Sequence, residues 1–92
     1  MMKTTKDDGY AKFVAIAWYN QGGYSWGSAP TRKEAIANVR KAARRDFGFR
    51  GQLKAMLYDT GGKRIVWYRD GTVWNEDNRN IAAEGEFVEI AA

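Results

Sequence analysis

Pro30-Thr31-Arg32-Lys33-Glu34-Ala35-Ile36-Ala37-Asn38-Val39-Arg40-Lys41-Ala42-Ala43-Arg44-Arg45-Asp46-Phe47-Gly48-Phe49 is the stretch that decides the fold of this 92-residue chain. Thr31 and Glu34 have the Thr-x-x-Glu spacing of a capping box. In that motif the threonine hydroxyl accepts from the Glu34 backbone N–H, and the Glu34 carboxylate reaches back to the Thr31 N–H. Pro30 lies just outside the cap, where its missing donor costs nothing. Ile36, Val39, Ala43 and Phe47 recur on one stripe, broadened by Ala35 and Ala42, as in a helix lying on a sheet. Gly48 supplies the left-handed residue that ends a helix, and Phe49 the apolar contact that follows. The spacing predicts a helix over 31–47 that buries Ile36, Val39, Ala43 and Phe47.

Outward from the helix, the period changes to two. Residues 11–19 read as a strand with Val14, Ile16 and Trp18 on one face and Phe13, Ala15, Ala17 and Tyr19 on the other. Asn20-Gln21-Gly22-Gly23 turns the chain into a returning strand. There Tyr24, Trp26 and Ser28 alternate with Ser25, Gly27 and Ala29, a small set that admits close helix packing or marks a bulge. After the helix, Leu53, Ala55 and Leu57 alternate with Lys54, Met56 and Tyr58. Thr60-Gly61-Gly62 then leads to 63–69, where Ile65 and Trp67 alternate with Arg64, Val66 and Tyr68. Asp70-Gly71 signals a two-residue hairpin into Thr72-Val73-Trp74, with Trp67 and Trp74 as cross-strand partners. The expected class is α+β: a four- or five-stranded antiparallel sheet with one helix on one face, in the order strand, strand, helix, strand, strand. Residues 1–92 are expected to form one domain, with 1–9 flexible and 81–92 docking on the main body. In that last segment 86–90 is an edge strand or lies across the open side of the sheet.

Composition narrows the chemistry. The absence of Cys and His excludes disulfides, thiolate nucleophiles, sulfur ligation of metals and imidazole proton exchange. Asp59 and Asp70 fit ordinary turn positions, and Glu76 and Asp77 a polar loop, so none forms an evident acid and base pair. Gly22-Gly23 and Gly61-Gly62 lack the spacing of a phosphate loop. The expectation is a non-enzymatic protein with no catalytic residue, metal ligand set or cofactor. No apolar run is long enough for a membrane span, and the first residues lack a secretory pattern, which points to an intracellular protein.

Charge and aromatics carry the remaining signal. Residues 1–69 hold 14 Lys or Arg against 5 Asp or Glu, whereas residues 70–92 hold 1 against 6. Lys33, Arg40 and Arg44 follow one flank of the helix, with Lys41 and Arg45 farther round. This reads as a ridge for phosphates or acidic side chains, or as a solvated face rich in good helix formers. The chain also holds 4 Trp and 5 Tyr, more than one small core accommodates unless many are half-buried. Tyr24 and Trp26, and Tyr68 beside Arg64 and Arg69, are the candidates for exposed anchors.

Size, element order, the early aromatic hairpin and the basic helix together resemble the small phage anti-CRISPR proteins that inhibit multisubunit RNA-guided surveillance complexes. The resemblance covers 11–74 and contains no invariant motif. It implies a non-enzymatic inhibitor in the host cell cytoplasm that occupies Cas protein surfaces or guide-RNA surfaces to block target DNA recognition. The implied partner is a Cas protein complex carrying guide RNA, with no membrane and no small-molecule substrate. On this chain's own chemistry, Lys33, Arg40, Lys41, Arg44, Arg45, Arg64 and Arg69 would meet an RNA backbone or an acidic surface. Tyr24, Trp26 and Tyr68 would anchor the contact. A stand-alone nucleic-acid-binding domain, or a phage accessory protein binding another host protein, are the alternatives.

Overall fold

The computed structural model describes residues 5–6, 12–20, 22–68 and 70–92. Its elements run β1 (Thr5–Lys6), β2 (Phe13–Trp18), β3 (Tyr24–Ala29), α1 (Arg32–Phe47), β4 (Leu53–Asp59), β5 (Ile65–Trp67), β6 (Val73–Asn75), a short 3-10 turn (Ala82–Glu84) and β7 (Glu86–Ile90). The main sheet is antiparallel in the order β3-β2-β4-β7, and α1 covers one of its faces. The expected α+β class is therefore present, with β7 as an edge strand.

The helix begins and ends where its local chemistry dictates. Thr31 is the N-cap, and its hydroxyl accepts from the Glu34 N–H at 3.2 Å. The hydroxyl in turn donates to the Glu34 carboxylate at 3.0 Å, so the carboxylate meets the hydroxyl. At the other end Gly48 adopts φ 63°, a left-handed conformation that favours glycine. Its N–H donates to the Arg44 carbonyl at 3.0 Å, and the Phe49 N–H donates to the Ala43 carbonyl at 3.1 Å.

The layer between helix and sheet is thin because its side chains are small. Ala35, Val39 and Ala43 of α1 meet Ala15, Ala17, Ala29, Leu53, Ala55 and Leu57. A Cβ added at Gly27 would come within 2.6 Å of the Asn38 carbonyl carbon and 2.7 Å of the Asn38 Cβ, and closer still to the Val39 nitrogen. Helix backbone thus rests directly on β3. Asn38 reinforces the contact by donating from Nδ2 to the Ser28 carbonyl at 3.0 Å. Of the expected stripe, Ile36 packs only partly buried against this layer, and Phe47, 52% exposed, departs from it. In the last turn, Phe47 stands edge-on to Tyr19, with ring centroids 4.9 Å apart.

The other face of the main sheet is covered, not open. The strands expected at 63–69 and 72–74 leave the main sheet, and β5 and β6 form a second sheet with β1, in the order β1-β5-β6. Val14, Ile16 and Tyr58 of the main sheet pack against Ile65, Trp67 and Val73 of the second, with Ile81 closing the cluster. Of the nine amino-terminal residues expected to be flexible, Thr5–Lys6 pair with β5, and the others lie outside the described residues. So does Ala11, the expected start of the strand at 11–19. The hairpin register also differs from expectation: Trp67 lies opposite Val73 and Trp74 opposite Val66. The Gly71 N–H donates to the Tyr68 carbonyl and the Tyr68 N–H to the Thr72 carbonyl. The loop is thus one residue longer than a two-residue turn, so the two tryptophans fall on opposite faces.

Two outcomes check this packing. Gly27→Ala should cost at least about 2 kcal/mol in urea unfolding, because the added methyl meets backbone that cannot swing away. Gly51→Ala, whose Cβ would meet only the Phe49 ring at 3.5 Å, should stay within about 0.5 kcal/mol. Equal effects would contradict the close approach. Burial also pushes the Tyr58 phenol up to about 12. Folding then favours the neutral phenol, so its contribution is whole below the unfolded value of about 10 and is lost as pH rises toward 12. Unfolding measured across that window should show a fall in stability that Tyr58→Phe diminishes.

Candidate functional site

The cations of the chain divide into those that hold the fold together and those left over. Arg40 belongs to the first group. Its Nη1 donates to the Gly51 carbonyl and its Nη2 to the Phe49 carbonyl, each at 2.7 Å, with the Ala91 carbonyl at 3.5 Å from Nη1. The guanidinium also lies 5.7 Å from the Phe49 ring centroid. This side chain ties α1 to the loop before β4 and to the end of β7, so it is not the free partner-facing cation that the helical wheel suggested. A wheel places Arg40 on the flank but says nothing of carbonyls from nine to fifty-one residues away.

Other cations are spent on acids, several from the acidic carboxy-terminal quarter. Arg32 grips the Glu86 carboxylate on β7 with Nη2 2.6 Å from both oxygens, Lys63 pairs with Asp77, and Arg79 with Glu84. Arg45 pairs with its neighbour Asp46, which raises the guanidinium pKa and holds the Asp46 carboxyl below its ordinary range. These pairs are exposed, so each stabilises little. Their larger consequence is which charges they leave.

Lys33, Lys41 and Arg44 are exposed and have no ion pair or side-chain hydrogen bond among the described residues. Positions 33, 37, 41 and 44 fall on one helical stripe opposite buried Ala35, Val39 and Ala42. The stripe reads Lys33, Ala37, Lys41, Arg44, and the residue between the two lysines is small. Glu34 is held by the cap and Asp46 by Arg45, so no free acid interrupts it. Arg45 borders the row, half-neutralised. Exposed Arg50, Lys54 and Arg64 are likewise without an ion pair among the described residues.

The expected aromatic anchors fare differently. Trp26 is half-buried against Trp67, with centroids 5.1 Å apart and planes at 63°. Tyr24 packs beside it against the cluster between the sheets. Neither stands on an open face, because the second sheet covers that face. Tyr68 is half-buried and contributes to an outer cleft of about 560 Å³ lined by Val66, Tyr68, Asp70, Thr72, Trp74, Asn75 and Asn78. Arg69 lies outside the described residues. Among the described residues the cleft lining contains a carboxylate and no cation, and Asp70 is kept ionised below its ordinary range by the Thr72 N–H and hydroxyl. That carboxylate repels phosphate.

Sequence reasoning missed a second depression at the end of the main sheet. β2 and β4 pair only as far as Ile16 opposite Met56. Beyond that point β2 stays with β3 to Trp18 opposite Tyr24, and β4 stays with β7 to Leu53 opposite Ile90. The two central strands part there, and a cavity of about 250 Å³ opens between them, lined by Trp18, Tyr19, Asn20, Phe49, Gln52, Leu53 and Lys54. Tyr19 joins this notch to the end of α1 through its contacts with Phe47 and Phe49. No local signal marks the notch, because it depends on where two strands distant in sequence stop pairing.

The carboxylates behave as turn residues. Asp59 accepts from Lys12 at 2.8 Å and from the Gly61 N–H at 3.0 Å, contacts that lower its pKa. Among the described residues no group of three or more Asp, Glu, His or Cys could hold a metal ion, and no helix is long and apolar enough to cross a membrane. Comparison with protein-family models, curated proteins and solved structures gives no match.

The division of cations has a direct check. Arg40→Ala should lose about 2 kcal/mol in chemical unfolding, since it orphans two charge-assisted hydrogen bonds. Lys33→Ala and Lys41→Ala should each change stability by no more than about 0.5 kcal/mol. A silent Arg40→Ala would return that residue to the free surface.

Proposed function

We propose that the protein is a non-enzymatic inhibitor that lays the outer stripe of α1 along a phosphate backbone, and that this backbone is the guide RNA of a multisubunit surveillance complex in the host cell cytoplasm. The observation that carries the reading is the row Lys33, Lys41 and Arg44, exposed and unpaired among the described residues on a helix whose own acids are engaged. Such a row attracts a polyanion at long range and gains from counterion release on contact. Occupying the path of the incoming DNA is sufficient for inhibition, because strand pairing must start before anything downstream can follow. The resemblance in size, element order and basic helix supplies the choice of complex.

A second reading, a stand-alone nucleic-acid-binding domain, is favoured by the half-burial of Tyr24 and Trp26. It removes two of the anchors that would fill pockets on a protein partner and leaves backbone attraction as the larger part of recognition.

Binding to an assembled surveillance complex, its free guide RNA and unrelated duplex DNA, each at two salt concentrations, separates the readings. The inhibitor reading expects the complex to be bound at least about tenfold more tightly than free RNA. Lys33→Glu, Lys41→Glu and Arg44→Glu combined should weaken association and flatten the salt dependence by about 0.7 to 0.9 per lost phosphate contact. Equal, salt-sensitive binding to all three ligands supports the second reading. No binding to any ligand contradicts both.

A further inference from the structure

The notch where β2 and β4 part has the chemistry of a ring-binding site. Trp18 and Lys54 reach it from the face that packs on the second sheet, whereas Tyr19, Phe49 and Leu53 reach it from the helix face. A flat ligand entering between the strands therefore finds aromatic or apolar surface on both sides. Asn20 and Gln52 stand at the mouth, with amides that both donate and accept. Neither side-chain amide has a hydrogen-bond partner among the described residues. Because the β2–β4 ladder stops at Ile16 and Met56, backbone groups of the departing strands are also free of that ladder.

Charge around the notch favours a phosphorylated ring. Lys54 lines it, and Arg50 stands two residues before Gln52, both exposed. Glu89 lies opposite Lys54 across β4 and β7 but makes no ion pair with it among the described residues. On the other side, Tyr19 leads through Phe47 to the last turn of α1, where Arg44 ends the cationic row. The described lining of the outer cleft carries instead the Asp70 carboxylate.

We propose that the notch receives one unpaired nucleobase of the strand whose phosphates follow α1, stacked between aromatic side chains and addressed at its edge by Asn20 and Gln52. This inference rests on the phosphate-binding reading of α1 and sharpens it from nucleic acid in general to single strands. A paired base cannot enter, whereas an unpaired one has free faces for stacking and a free edge for hydrogen bonds.

The test compares a labelled 12-nucleotide RNA single strand, an abasic strand of equal length and the corresponding duplex by fluorescence anisotropy. The abasic strand keeps the phosphates and loses the bases. The single strand should bind about tenfold more tightly than either other ligand. Gln52→Leu should shrink that ratio below about threefold while leaving abasic affinity unchanged. Equal affinity for the base-bearing and abasic strands, with binding still lost in the Lys33→Glu, Lys41→Glu, Arg44→Glu variant, overturns the notch and leaves the α1 reading standing. If that variant instead binds like wild type, the α1 reading falls and a separate measurement decides the notch. Adenosine 5′-monophosphate titrated by NMR should then shift the Trp18 indole N–H resonance, assigned with Trp18→Phe, in wild type more than in Gln52→Leu. An unmoved resonance overturns the notch.

Discussion

The backbone of α1 rests on the backbone of β3 at Gly27, and most of the molecule is arranged around that contact. A helix that close to β3 leaves room only for small side chains beside the contact, which is why Ala15, Ala17, Ala29, Ala35 and Ala43 with Val39 make up most of the layer, and Leu53 and Leu57 of β4 complete it. Such a layer buries little area per residue, and the larger apolar payload lies on the opposite face. There Trp67, Ile16, Tyr58 and Ile65 fill the space between the two sheets, with Trp18 and Trp26 at its margin. The aromatic richness of the chain is in large part the counterpart of a thin helix layer.

This asymmetry explains where the functional groups end up. With α1 pressed flat onto β3, polar arms hold the helix from Asn38 to Ser28 and from Arg40 to the Phe49 and Gly51 carbonyls, and Arg32 reaches across to Glu86 on β7 in an exposed pair. Those arms use the cations on the flanks and leave the outermost stripe unoccupied. The second sheet meanwhile takes Tyr24 and Trp26 out of the candidate contact surface. What remains outside is a row of Lys33, Lys41 and Arg44, and beyond the helix end a notch framed by Tyr19, Phe49 and two amides.

Local features were legible in the sequence and non-local ones were not. The Thr31 cap, the Gly48 ending, the face assignment of β4 and the small set Ser25, Gly27 and Ala29 follow from residue chemistry and period, and the structure contains each of them. Periodicity could not show that β5 and β6 leave the main sheet, because Ile65 and Trp67 face inward in either arrangement. The exposure of Phe47 was hidden for a related reason, since a wheel assigns the residue to the apolar stripe without knowing that its turn ends beside Tyr19. Arg40 and Arg44 differ little on a wheel, and only the return of residues 49–51 and 91 makes the first structural. The notch depends on where two strands separated by α1 stop pairing, which no local signal encodes.

The central claim is that helix backbone meets strand backbone at Gly27, and proton NMR tests it most directly. The Gly27 α protons should give strong nuclear Overhauser cross-peaks to the amide protons of Asn38 and Val39, in addition to those within the sheet. Gly27 cross-peaks confined to β2 and β3 neighbours would contradict the account. They would mean a thicker layer, a differently seated helix and no reason for the outer row of cations to lie where it does.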